Sequence, residues 1–133
     1  QASLPALQKA PDGASVLLFS TVAVDQGFAA HASIAMAKGA VVGLTRSLAA
    51  EFAPQIRVNA IAPSLVDSPL GKRVASSEKM AEAVAKMHPL PRLGRPDDIA
   101  AMGEILLTDA GSWITGQVIG IDGGRSTLRV ARG

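Results

Sequence analysis

The first apolar run of the chain, SVLLFS at residues 15–20, shows no alternation between apolar and polar positions. That pattern suits a strand covered on both faces, as in a parallel sheet. Ahead of it, Leu4 and Leu7 stand one helical turn apart, and Pro11-Asp12-Gly13 breaks the chain after them. Residues 21–28 read as a loop, with Asp25 and Gly27 as turn residues. An alanine-rich stretch from Ala30 to Phe52 predicts a long helix that Pro54 closes. IRVNAIA (56–62) is the second strand, and PSLVDSPL (63–70) is a loop held by two prolines. Ser76 or Ser77 caps a short helix through Lys86, with Glu78 in its first turn. Residues 88–96, with three prolines and Gly94, are extended. Pro96-Asp97-Asp98 opens a helix that runs to about Asp109, since proline fits the first helical position and acids suit the positive end of the helix dipole. VIGI (118–121) is the third strand, turned off by Asp122-Gly123-Gly124.

The order is α-β-α-β-α-α-β, which predicts an α/β fold with a doubly wound parallel sheet. Three strands make a thin scaffold, and the first would want a neighbour on each side. The pattern therefore predicts the second half of such a domain, about three strands with flanking helices. A length of 133 residues is one domain by the usual prior. Hydrophobic residues at 48% and charged residues at 18% exclude a disordered chain. The longest stretches free of Asp, Glu, Lys and Arg are 12 residues, against the roughly 20 apolar residues of a membrane span. No cysteine is present, so disulfides and thiolate metal sites are excluded, and no metal is expected. Alanine occurs 24 times, and aromatics are 3% with no tyrosine, which leaves little stacking surface for single-stranded nucleic acid. The net charge of +2 is spread along the chain, and only Arg125, Arg129 and Arg132 cluster. They read as a solvated carboxyl terminus rather than a nucleic-acid patch.

Five segments add chemistry to this frame. They are LLFSTVA (17–23), AMAKGAVVGLTRSLAAE (35–51), IRVNAIAPSLVDSPL (56–70), LPRLGRPDDIA (90–100) and WITGQVIGIDGG (113–124). In order and spacing they resemble the short-chain dehydrogenase/reductase family, and the resemblance covers essentially the whole chain. It implies a Rossmann-like domain of which residues 1–133 are the carboxyl-terminal part, without the amino-terminal dinucleotide-binding half. It further implies NAD or NADP as cofactor, hydride exchange with a small carbonyl or alcohol substrate, a cytoplasmic location and a homo-oligomer or a complex with the missing half. The family's Gly-rich GxxxGxG turn, which holds a pyrophosphate at a helix N-terminus, has no counterpart here. Gly39-x-x-x-Gly43 lies inside a predicted helix and reads as helix packing.

The resemblance assigns roles residue by residue. Lys38 matches the lysine that lowers the pKa of the catalytic tyrosine and holds the ribose hydroxyls. Four residues earlier, where YxxxK requires tyrosine, stands Ile34. Thirteen residues before Ile34, Thr21 occupies the position of the serine that orients the substrate oxygen, and Ser20 beside it also carries a hydroxyl. A phenol of pKa about 10 drawn towards neutrality is the family's proton donor, and isoleucine has no such proton. His31 lies seven residues before Lys38, roughly 10 Å along a helix, too far to replace it. Pro63, Val66 and Ser68 match the turn that grips the nicotinamide carboxamide, with Ser64 in place of its glycine. Lys38 without its tyrosine serves either as a ribose ligand or as a structural residue. Asn59 reads as structural, satisfying buried backbone groups. Residues 70–90 correspond to the family's mobile substrate-covering segment. Two functions remain open, an oxidoreductase and a non-catalytic binding or assembly subunit of the same fold.

Overall fold

A computed structural model describes residues 2–131. Arg132, counted above in the basic cluster, lies outside the described residues. The elements are α1 (Leu4–Gln8), β1 (Ala14–Phe19), α2 (Ala23–Gln26), α3 (Ala32–Phe52), β2 (Ile56–Pro63), α4 (Pro69–Ala75), α5 (Glu78–Lys86), α6 (Pro96–Leu107), a 3₁₀ turn at Asp109–Gly111 and β3 (Val118–Ile121). The three strands pair in parallel in the order β1-β2-β3, with Leu17 opposite Asn59 and Ile61 opposite Ile119.

Side-chain alternation along β1 and β2 divides the molecule into layers. Val16 and Leu18 of β1 and Ile56 and Val58 of β2 face α1 and α3, where they pack against Leu4, Leu7, Leu48, Ala49 and Phe52. The opposite face meets α6. There a Cβ on Gly103 would touch the Leu17 side chain at 3.4 Å, so glycine lets α6 sit close to the sheet. The Ser15 hydroxyl donates to the Leu106 carbonyl at 2.7 Å, and Arg57 donates to the carbonyls of Leu106, Thr108 and Ile114. These contacts give the Leu106 and Thr108 carbonyls at the end of α6 donors and put a cation at the negative end of its dipole. At the other end of α6, the Asp98 carboxylate accepts the Arg95 N–H and a two-pronged contact from Arg92 at 2.6 and 2.9 Å. The Arg92 hydrogen bonds first, then the Arg95 N–H, hold Asp98 down at about 2.

The structure refines these expectations. β1 is covered on both faces, by α1 and α3 on one and by α6 on the other, yet it is only half-buried, with Phe19 at its end 48% exposed, because it is an edge strand with β2 on one side only. The fully buried strand is β2. The loops predicted at 21–28 and 63–70 contain or begin the short helices α2 and α4, which are too brief for hydrophobic periodicity to reveal. Ser77 is the cap of α5, accepting the Met80 N–H at 3.2 Å, whereas Ser76 ends α4 with a left-handed φ of 49°. Ala49 packs into the core against β2.

The segment between α6 and β3 is stitched to β2. Asn59, fully buried, donates to the Ile114 carbonyl at 2.8 Å and accepts the Gln117 N–H at 3.0 Å. Thr115 accepts the Val58 N–H, and Gly116 donates to the Val58 carbonyl. This is the structural role the sequence assigns to Asn59. Among the described residues, no helix is long and apolar enough to cross a membrane. Replacing Asn59 by alanine removes one donor from the half-buried Ile114 carbonyl and the acceptor of the Gln117 N–H, at about 0.5–1.5 kcal/mol for each bond lost. Urea denaturation of Asn59→Ala is expected to show a loss of about 1–3 kcal/mol, and an unchanged midpoint would contradict the role given to this side chain.

Candidate functional site

In an open parallel sheet, loops leaving the carboxyl ends of the strands form the natural binding crevice. Here those loops are residues 20–31 after β1, 63–68 after β2 and the turn after β3. The strand ladder continues past β1, since the Ser20 N–H donates to the Ile61 carbonyl at 2.8 Å and the Val22 N–H to the Pro63 carbonyl at 3.2 Å. Thr21 is thereby carried beside the start of the 63–68 loop. Its hydroxyl oxygen accepts the Ala23 N–H at 3.3 Å at the head of α2, and its O–H remains available as a donor.

Lys38 joins the same place from α3. Its Nζ donates to the Phe19 carbonyl at 2.9 Å, and its own carbonyl accepts the Ser20 hydroxyl at 3.2 Å. Both ends of the residue are tied to the end of β1. An ammonium has three N–H donors, and the Phe19 carbonyl takes one. Ile34 lies one turn earlier on α3, 41% exposed. His31 precedes α3, with Nδ1 2.8 Å from the Ala29 carbonyl and its ring edge-on to Phe28 at 5.5 Å. The structure thus brings Thr21, Lys38 and Pro63 together and leaves His31 two turns away along α3.

The 63–68 loop is fixed by a parallel bridge between Val66 and Gly94. The Gly94 N–H donates to the Leu65 carbonyl at 3.0 Å, and the Asp67 N–H donates to the Gly94 carbonyl at 2.8 Å. In such a bridge the central residue turns its own N–H and C=O to the other side. Gly71 packs so closely there that a Cβ would stand 1.9 Å from the Val66 carbonyl oxygen. Ser68 caps α4 by accepting the Gly71 N–H at 3.0 Å.

A second group of side chains meets at the ends of β2 and β3, and the sequence had not joined them. Buried His88 places Nε2 2.8 Å from the Ser64 hydroxyl, with Nδ1 3.3 Å from the Ala85 carbonyl. Arg125 donates to the same Ser64 oxygen at 3.3 Å. Asp122 accepts from the N–H groups of Gly124 and Ser126 and from the Ser126 hydroxyl. Burial pushes its carboxyl up, but those hydrogen bonds and the nearby His88 leave it below the usual carboxylate range. Ser64 and His88 border a cleft of about 550 Å³ that reaches Gly94 and the start of α6. Ser64 and His88 stand 24 positions apart, with no motif to link them. Arg125 also corrects an expectation. It is half-buried over the Phe28 ring at 4.7 Å, not a solvated tail residue, because the turn after β3 folds it back onto the loop after β1.

A family model described as Enoyl-(Acyl carrier protein) reductase matches residues 1–126. The 3-oxoacyl-[acyl-carrier-protein] reductase FabG of Thermotoga maritima is 37% identical over 125 residues, which cover 93% of this chain and 50% of that protein. The ligand-free aldohexose dehydrogenase of Thermoplasma acidophilum superposes with a TM-score of 0.90 at 28% identity, over 98% of this chain and 54% of that one. ElxO with NADP bound gives a TM-score of 0.84 at 29% identity, over 95% of this chain and 51% of that one. The chain spans about half the length of the relatives it matches. The five sequence segments, the half Rossmann-like sheet and these matches agree: the chain belongs to the short-chain dehydrogenase/reductase family of oxidoreductases.

Proposed function

We propose that this chain forms the nicotinamide- and substrate-facing part of an oxidoreductase that uses NAD or NADP to exchange hydride with a carbonyl or alcohol. One observation carries the reading. The Lys38 ammonium is held at the carboxyl end of β1 with two N–H donors unspent, beside the Thr21 hydroxyl and the loop that starts at Pro63. That donor set suits the ribose end of a nicotinamide nucleotide, and the bridge at Gly94 leaves the Val66 backbone groups free of that partner. ElxO, about twice as long, is a relative solved with NADP. In this reading Lys38 holds the ribose hydroxyls, Thr21 with Ser20 orients the substrate oxygen, and Pro63, Val66 and Ser68 position the carboxamide. When bound, the nicotinamide supplies or takes up the hydride.

Ile34 favours a second reading. No phenol stands one turn before Lys38, so the chain would keep the scaffold as a binding or assembly subunit without the proton step. Both readings share an association surface. Among the described residues, the outer edge of β1 carries no strand, and Met36 at 76% and Trp113 at 99% exposure are large apolar side chains in solvent. We propose that an amino-terminal half-domain or a second copy of the chain covers them.

Three outcomes follow. Sedimentation at micromolar concentration is expected to show a dimer or larger species, and a folded monomer would overturn the association. Calorimetric titration of the 133-residue chain with NAD or NADP is expected to show affinity weaker than micromolar, because no residue cradles the pyrophosphate; tighter binding would contradict this. Ile34→Tyr is expected to leave the 133-residue chain without ketone reduction. In a longer chain carrying an intact Gly-rich half, the same substitution is expected to raise the rate about 10²–10⁴-fold, followed by nicotinamide absorbance. If the unsubstituted longer chain is as fast as its tyrosine variant, another group supplies the proton.

A further inference from the structure

Arg125 is where four segments converge. Its guanidinium lies 4.7 Å over the Phe28 ring in the loop after β1 and donates to Ser64 Oγ in the loop after β2. It also meets the Met87 sulfur at 3.5 Å just past α5, while its main-chain carbonyl accepts the Gln26 side-chain N–H at 3.0 Å. A ring face, a hydroxyl and a thioether are all weak partners for a cation. Among the described residues, the ion pairs are Lys72 with Asp67 and Arg92 with Asp98, and Arg125 has no carboxylate within 4.0 Å. The nearest acid in sequence, Asp122, gives both oxygens to Gly124 and Ser126. Burial lowers the Arg125 pKa and Asp122 opposes that, but a guanidinium stays charged across the working pH range.

A half-buried cation without a counter-ion has given up hydration and received little in exchange. A cleft of about 310 Å³ opens on it. Met87, Leu128 and Val130 supply apolar surface there, and Arg129 adds a second positive charge. The planar fork of arginine matches a carboxylate through two parallel hydrogen bonds. We propose that Arg125, aided by Arg129, binds the carboxylate of a small organic acid whose short aliphatic chain lies along Met87, Leu128 and Val130. The substrate of the oxidoreductase is then a short-chain oxo or hydroxy acid. This last step rests on the proposed function; the carboxylate site itself does not.

Hexanoate and hexanamide separate charge from shape, since they share the aliphatic chain and differ in the anionic group. Titrated into the 133-residue chain at low salt and followed by amide and ring chemical shifts, hexanoate is expected to perturb Gly124, Arg125 and Phe28. It is expected to bind about tenfold more tightly than hexanamide, in the range of a charge-assisted contact. Arg125→Gln is expected to abolish that preference, and Arg125→Lys, which keeps the charge without the fork, to retain part of it. Equal binding of the two probes, or a preference that survives Arg125→Gln, overturns the proposal. Should Arg125→Gln fail to fold by circular dichroism, the contrast on the unsubstituted chain and on Arg125→Lys decides. Hexanoate has no reducible carbonyl, so failure of the oxidoreductase reading leaves this result standing. Conversely, nicotinamide-linked turnover of neutral ketones without hexanoate binding would keep that reading and reject the carboxylate site.

Discussion

Among the described residues, β2 is the one strand with a hydrogen-bonded partner along each edge, and the rest of the molecule is positioned from it. Its residues Val58, Asn59, Ala60 and Ile61 are essentially excluded from solvent. A buried backbone and a buried amide side chain must find partners, because an unmatched polar group in the interior costs more than a made bond returns. β1 supplies one edge and β3 the other. Just ahead of β3, the 114–117 segment satisfies Val58 and Asn59. Because β2 is fixed on both sides, its carboxyl end is a rigid point, and the loop at Pro63 leaves from it.

The candidate site inherits that rigidity unevenly. Lys38 is held at its ammonium by the Phe19 carbonyl and at its own carbonyl by the Ser20 hydroxyl, so neither tie involves the residue one turn earlier on α3. Such an anchor is indifferent to the residue one turn earlier, which explains how Ile34 is accommodated without disturbing the lysine. The 63–68 loop is held differently, through its bridge to Gly94 and the tight seat of Gly71 under Val66. The two halves of the proposed site therefore rest on different contacts, joined where the Val22 N–H meets the Pro63 carbonyl.

The carboxyl edge also gathers groups with no part in the family's pattern. Ser64 stands where the resemblance expects glycine, and its hydroxyl meets His88 and Arg125 together. A small side chain there exchanges close backbone approach for a polar link between β2, α5 and the turn after β3. Through that link Arg125 is drawn off the tail and over Phe28, which closes the end of the sheet around the 20–31 loop.

What the sequence by itself determined was local and periodic. The three strands, the long α3 stopped before Pro54, the opening of α6 at Pro96 and the family resemblance all rest on residue types within a few positions of each other. The candidate positions Thr21, Ile34, Lys38, Pro63, Val66 and Ser68 are those that the family resemblance implies, matched residue by residue. Asn59 was legible as structural because a polar residue inside a buried strand has few other uses. Only the tertiary structure decided the rest. α2 and α4 carry too few residues to show a period, and Ala49 could not be told from an outward alanine until α3 was laid on β2. β1 proved an edge strand because exposure depends on neighbours, not on composition. The Ser64–His88–Arg125 group joins residues up to 61 positions apart, and no local pattern encodes a contact that exists only once the parallel sheet brings its carboxyl ends together.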